Sequence, residues 1–279
     1  MKRIIVALLL MVMGFQVQAQ KNQAINVMTY NIRYATEKDG VNAWSKRKDN
    51  VKALVNFHDT DILCTQEALA EQYDFLLENS DFEAVGAGRD DGKRKGEFSP
   101  IYYNKNRFTK KDGGVFWLSQ TPGVPSKGWD AQFNRVCTWV RLHDKLNKKE
   151  FLVFNTHYDH VGVQARIESA KLIKQKIQEI APELPVIYTG DLNVTPETEA
   201  IATIKSFLSD SKEISVEPPY GPEGTFNGFD FNSPLKNRID YIFVNKGFNV
   251  RKYAVLSDSK DQKYFQIICL FLRNCFFRL

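Results

Sequence analysis

Val186-Ile187-Tyr188-Thr189-Gly190-Asp191-Leu192-Asn193 is a short apolar run that ends in a carboxylate and an amide. Such a run reads as a buried strand, and its end delivers Asp191 and Asn193 to one rim of a sheet. The same pattern recurs along the chain. Val27-Met28-Thr29-Tyr30 leads to Asn31, Ile62 to Gln66 leads to Glu67, Phe151 to Thr156 leads to His157, and Asp240 opens the run Asp240–Val244. Several strand tips on one rim form a cleft whose polar groups are held by rigid elements.

The rest of the chain supplies what such strands need. Trp44–Phe57 has helical spacing through Trp44, Val51, Leu54 and Val55. Glu67–Leu77 and Gln164–Ile180 also read as helices. Further strands are expected at Phe82–Ala87, Ser99–Tyr103, Gly114–Leu118, Val136–Leu142 and Val250–Leu256. No Pro-, Gly- or Ser-rich linker and no repeat divides the sequence, so one domain is expected. Two mostly antiparallel sheets packed face to face, with helices outside, use this pattern.

Lys2 and Arg3 precede an apolar run, Ile4–Phe15, which is too short for a membrane span. Val17-Gln18-Ala19 supplies small residues at a cleavage position. Residues 1–19 are therefore expected to be a signal peptide, with a periplasmic or secreted mature chain from Gln20. The net charge of +5 falls to +3 without Lys2 and Arg3, too mild to demand a nucleic-acid partner. Lys93-Arg94-Lys95 reads as a solvated loop. Cys64 and Cys137 sit in strand-like runs and read as small buried hydrophobes. No CxxC or Cys/His spacing suggests zinc.

A lone Asp after a strand is usually a turn former, and a lone His is usually a satisfied polar group. Asn31, Glu67, His157, Asp191, Asn193 and Asp240 together are another matter. They offer oxygen ligands, amides and one imidazole. All-oxygen ligands suit Mg²⁺ or Mn²⁺. Phosphoester hydrolysis needs a hard cation, an oriented water and donors for the phosphoryl oxygens.

Met28-Thr29-Tyr30-Asn31-Ile32-Arg33, Gln66-Glu67, Asn155-Thr156-His157, Gly190-Asp191-Leu192-Asn193 and Arg238-Ile239-Asp240-Tyr241-Ile242 resemble, in order, the motifs of the endonuclease/exonuclease/phosphatase superfamily. The resemblance runs from about Asn26 to Leu256. It implies a four-layered α/β sandwich. It also implies Glu67 as the principal metal carboxylate with Asn31 beside it, and His157 as donor to a phosphoryl oxygen. Asp191 would polarise the attacking water, Asn193 would orient phosphate or water, and Asp240 would buttress the site or bind metal. Arg135 is an added candidate for phosphate contact, because a guanidinium matches two phosphoryl oxygens. Tyr103 and His160 are lesser candidates, while Trp44 and Arg47 fit a helix face without a site role. Phe226, Phe229 and Phe231 either form a lip or pack locally. The substrate is left open among nucleic acid, phospholipid and sugar or inositol phosphate, and a monomer is expected.

Relatives of this kind end with Ser-Asp-His, then Leu-Pro-Val and a final core strand. Here no histidine follows His160, and Ser257-Asp258-Ser259 lacks the imidazole. One permitted codon series for the segment after Tyr264, read two bases out of frame, encodes Pro-Asp-His-Leu-Pro-Val-Phe-Ala-Glu-Leu. The domain is thus expected over residues 20–264, with 265–279 a frameshifted tail. The alternative is a catalytically impaired relative, surviving as a binding module.

Overall fold

Period-two alternation sorts the side chains of each strand onto two faces, and the layers follow from it. The computed structural model describes residues 23–180, 182–264 and 268–278. The expected signal peptide lies outside the described residues, as do 265–267 of the tail. One six-stranded sheet contains β1 (Ile25–Asn31), β2 (Ile62–Gln66), β3 (Phe82–Val85), β4 (Ile101–Asn104), β11 (Phe248–Leu256) and β14 (Ile268–Phe277), in the order β11-β14-β1-β2-β4-β3. The other contains β5 (Phe108–Trp117), β6 (Val136–Asp144), β7 (Lys149–His157), β8 (Val186–Asp191), β9 (Ser209–Asp210) and β10 (Asp240–Val244), in the order β5-β6-β7-β8-β10-β9. β1 runs parallel to β2, and β7 to β8; the other neighbours are antiparallel. A small hairpin joins β12 (Ser259–Lys260) and β13 (Lys263–Tyr264).

Ile25, Val27, Ile62, Cys64, Val153, Ile187 and Ile242 pack between the sheets. The alternate residues Met28, Tyr30 and Leu63 pack outward under α1 (Trp44–Phe57) and α2 (Ala70–Leu77). Leu152, Phe154, Val186 and Tyr188 pack outward under α3 (Val163–Ile180) and α4 (Glu199–Lys205). The result is the expected four-layered sandwich, with two mixed sheets flanked by helices. The inward rows are graded toward one rim: Val27, Thr29, Asn31; Ile62, Cys64, Gln66; Val153, Asn155, His157; Ile187, Thr189, Asp191.

Three elements differ from expectation. α2 starts at Ala70 rather than Glu67, because Glu67 has φ 62° and breaks the helix. β5 begins at Phe108 rather than Gly114; its first half is exposed Thr-Lys-Lys-Asp on an edge strand, where charge guards an open edge. α4 escaped notice because it is only seven residues long. The tail forms β14, hydrogen-bonded between β11 and β1. Leu270, Leu272, Cys275 and Phe277 join the inter-sheet core, and Phe271 packs outward. A register shift with Asn274 at φ 60° lets Leu272 and Cys275 share a face although three positions apart. Cys64 and Cys137 are fully buried free thiols.

Beneath the polar rim one amide joins the sheets. Asn155 Nδ2 donates to the carbonyls of Thr65 at 2.8 Å and Pro100 at 2.9 Å. Its Oδ1 accepts from Gln66 Nε2 at 2.7 Å and Thr189 Oγ1 at 3.1 Å. All four capacities of a fully buried amide are used. Asn155→Ala would take a donor from the Thr65 and Pro100 carbonyls, the latter keeping the Thr65 amide, and strand half of the Gln66 amide, so a loss of about 2–4 kcal/mol is expected. Urea unfolding checks it, and a loss below about 1 kcal/mol would contradict the bridge.

Candidate active site

Glu67 leaves β2 with a left-handed backbone, a strained conformation for a non-glycine residue and one found at functional sites. Its Oε1 accepts from Asn31 Nδ2 at 2.9 Å, its Oε2 accepts from the Tyr34 amide at 3.2 Å, and Arg33 Nη1 stands at 3.7 Å. Asn31 Nδ2 also donates to Asp191 Oδ2 at 2.9 Å. One amide thus tethers a carboxylate from each sheet. Asn31 Oδ1 accepts from the Arg33 amide, so Asn31 presents its donor side, not its ligand oxygen, to the carboxylates.

His157 ends β7 beside Asp191, with Nε2 at 3.8 Å from Asp191 Oδ2. Asn193, at φ 51°, donates from Nδ2 to His157 Nε2 and to the Tyr158 carbonyl, both at 3.0 Å. A carbonyl can only accept, which fixes the orientation of the Asn193 amide. Nε2 is then the acceptor, and the imidazole proton sits on Nδ1, 3.9 Å from Glu97 Oε2. Burial, then Arg135 and Arg89, push His157 well below the usual histidine range, so the ring is neutral. As a donor to phosphate it first needs a proton on Nε2 and the withdrawal of the Asn193 N–H that now fills that position.

Asp240 stands opposite Asp191 across the β8–β10 ladder, behind the pocket wall rather than on it. Its Oδ1 is buried without a hydrogen-bond partner. Burial, then the Asp191 charge, raise its carboxyl well above the ordinary range. Burial also pushes Asp191 up to about 6, against the Asn31 hydrogen bond. Crowded carboxylates and an orphaned oxygen fit a hard cation. Among the described residues no three Asp, Glu, His or Cys side chains form a metal cage. Mg²⁺ commonly uses one or two carboxylates plus water and substrate phosphate.

The pocket, about 390 Å³, is lined by Asn31, Glu67, His157, Asp191, Asn193, Arg135 and His160 among others. Arg135 is buried, 3.4 Å from Asp159 and 3.1 Å from His160. Tyr103 is not part of the site: its hydroxyl bonds Glu83 at 2.8 Å near the β3 edge. Of the three phenylalanines only Phe226 lines the pocket. Phe229 lies under the Arg47 guanidinium and Phe231 packs on Tyr264. Arg89, Glu97, Phe133, Arg33 and Tyr34 line the pocket unforeseen. Arg89 and Glu97 face each other across a glycine-rich loop after β3, where a Cβ on Gly88 would lie 2.2 Å from the Lys95 carbonyl. The glycines were the available signal. Gln72 and Arg47, both buried, hold the 33–35 loop: Gln72 bonds Ala35 N and Arg33 O, and Arg47 donates to Arg33 O.

Folded-state carboxyls with raised pKa values favour protonated, metal-free protein. Stability is therefore fullest below about 3.8 and is lost as pH rises through about 6 for Asp191, the raised Asp240 carboxyl acting in the same direction. Asp240→Asn removes one of the crowded charges while keeping an acceptor for Thr225. In chelator at pH 8 it is expected to raise Tm by about 3–6 °C. An unchanged or lower Tm in differential scanning calorimetry would contradict this electrostatic reading.

A family model described as the Endonuclease/Exonuclease/phosphatase family matches residues 28–261. An endonuclease/exonuclease/phosphatase family protein of Bacteroides thetaiotaomicron is 38% identical at a TM-score of 0.87, with 93% of this chain and 100% of that chain covered. A mannosyl-6-phosphatase of the same organism is also 38% identical, with a TM-score of 0.86 and coverage of 91% and 100%. An uncharacterized protein of Acanthamoeba polyphaga mimivirus is 26% identical over 233 residues, 78% of this chain and 79% of that protein. With the fold, the graded rim and these matches, the chain belongs to the endonuclease/exonuclease/phosphatase family.

Proposed function

We propose that the chain is a phosphoester hydrolase dependent on Mg²⁺ or Mn²⁺, acting by attack of an activated water on phosphorus. The observation that carries this reading is the tethering of Glu67 and Asp191, one from each sheet, by Asn31 at 2.9 Å each in the wall of one pocket. Glu67 is the cation's principal carboxylate, with Asn31 beside it. The cation, when bound, withdraws charge from a phosphoryl oxygen. Asp191 takes the proton of the attacking water; a cation held by Glu67 would favour its ionised form. Arg135 donates to one phosphoryl oxygen, Asn193 orients His157 toward a second through its hydrogen bond to Nε2, and Asp240 buttresses Asp191. The mannosyl-6-phosphatase similarity supports a phosphorylated sugar among the candidate substrates. Export to the periplasm or beyond belongs to the same reading, from the Lys2–Ala19 segment.

A second reading is favoured by one observation: no histidine follows His160. The chain is then an impaired form whose terminal Asp-His pair was lost to a shift of reading frame near Tyr264. The two readings separate when both versions, as written and with the shifted frame restored, are assayed on phosphomonoesters and diesters. The restored version is expected to turn over with Mg²⁺ or Mn²⁺ and to fall about 100-fold or more with Glu67→Gln. The chain as written is expected to be slower by orders of magnitude. Equal turnover of the two versions would overturn the reading of the tail, and full activity in excess chelator would overturn the metal-dependent mechanism.

A further inference from the structure

Two arginines stand in the same pocket beyond the carboxylates. Arg89 is only 12% exposed; its Nη1 donates to Glu97 Oε2 at 2.7 Å, and its Nε has no hydrogen-bond partner among the described residues, the half-exposed Asp90 standing 3.9 Å away. Arg135 turns Nε to Asp159 at 3.4 Å and Nη2 to His160 Nδ1 at 3.1 Å. Among the described residues Arg89 Nη2 and Arg135 Nη1 have no hydrogen-bond partner, and both side chains line the pocket. The counter-charges nearby are engaged. Asp159 is held low, against its burial, by the backbone N–H groups of Gly162, Gln132, Val161 and Phe133. Glu97 is shared between Arg89 and the His157 side. The guanidiniums also oppose each other: after burial, Arg89 is the main influence lowering Arg135. Phe133 fixes both, with its ring centroid 5.0 Å from the Arg89 guanidinium carbon and 6.0 Å from that of Arg135, and His160 stacks on it at 5.9 Å.

We propose that Arg89 and Arg135 together receive a third unesterified phosphoryl oxygen, so that the pocket selects phosphomonoester dianions over phosphodiesters. The proposal rests on the phosphoester reading and narrows it. A monoester dianion has three terminal oxygens: one toward the cation that Glu67 would hold, one for His157 once Nε2 carries a proton, and one for the arginines. A diester has two. Its fourth substituent would set a carbon arm against the guanidinium N–H groups and the Phe133 ring. Buried donors would then lose their acceptor, the situation in which sites reject an analogue most strongly. The pocket volume of about 390 Å³ suits a small alcohol rather than a polymer.

Binding tests this without relying on turnover. Calorimetric titration of the chain with methyl phosphate and with dimethyl phosphate, at pH 8 with Mg²⁺, is expected to favour methyl phosphate by about 10-fold or more. Arg89→Gln keeps a hydrogen bond for Glu97 and is expected to bring the preference below about 3-fold, by weakening methyl phosphate alone. Arg89→Lys, which keeps the charge, is expected to fall between. Equal affinity for the two ligands in the parent chain, or equal weakening of both by Arg89→Gln, overturns the proposal and leaves the phosphoester reading standing. If neither ligand binds, both fall.

Discussion

The four hydrogen bonds of Asn155 are the constraint on which the rest depends. Two sheets packed through apolar side chains alone can slide, because dispersion and burial are not directional. A buried amide with every donor and acceptor engaged fixes one relative position and penalises the others. That position sets the tip of β1 against the tip of β8, so that Asn31 reaches Glu67 and Asp191 at once. The inter-sheet core below supplies the stabilisation, and the polar layer above it supplies the alignment.

The layer above is built against its own stability. Glu67 and Asn193 take left-handed backbone conformations. Asp191 and Asp240 are buried beside each other, with one oxygen of Asp240 unpaired. Each feature costs on the order of 1–3 kcal/mol and persists because the surrounding sheets over-determine it. The cation of the proposed hydrolase would offset the charge crowding and tie the stability of this rim to its chemistry.

Much of this was legible from period-two alternation. The rows ending in Asn31, Gln66, His157 and Asp191, with Glu67 directly after the second, announce strands that turn polar at one rim, and α1 matches its expected bounds. Asp240 was read as buttressing the site or binding metal; it lies behind the wall against Asp191, a depth that pairing register decides and that is not written in one strand. Arg89 and Glu97 escaped because a loop has no periodicity; only their pairing across the glycine-rich turn brings them inward. Tyr103 illustrates the converse, a tyrosine near the expected strands whose face belongs to the far edge of the sheet. The tail was read as aberrant for its missing imidazole, yet its apolar run serves as a central strand. Burial on both faces asks only for apolar β-formers, and Leu270, Phe271 and Leu272 meet that demand.

The central claim is that carboxylates from two sheets answer to one cation. Titration of Mn²⁺ into the chelator-stripped chain, followed by its electron paramagnetic resonance signal, tests it most directly when repeated with Glu67→Gln and Asp191→Asn. The account predicts saturable binding that weakens about 10-fold or more in each variant. Parent-like Mn²⁺ affinity in both variants would contradict it.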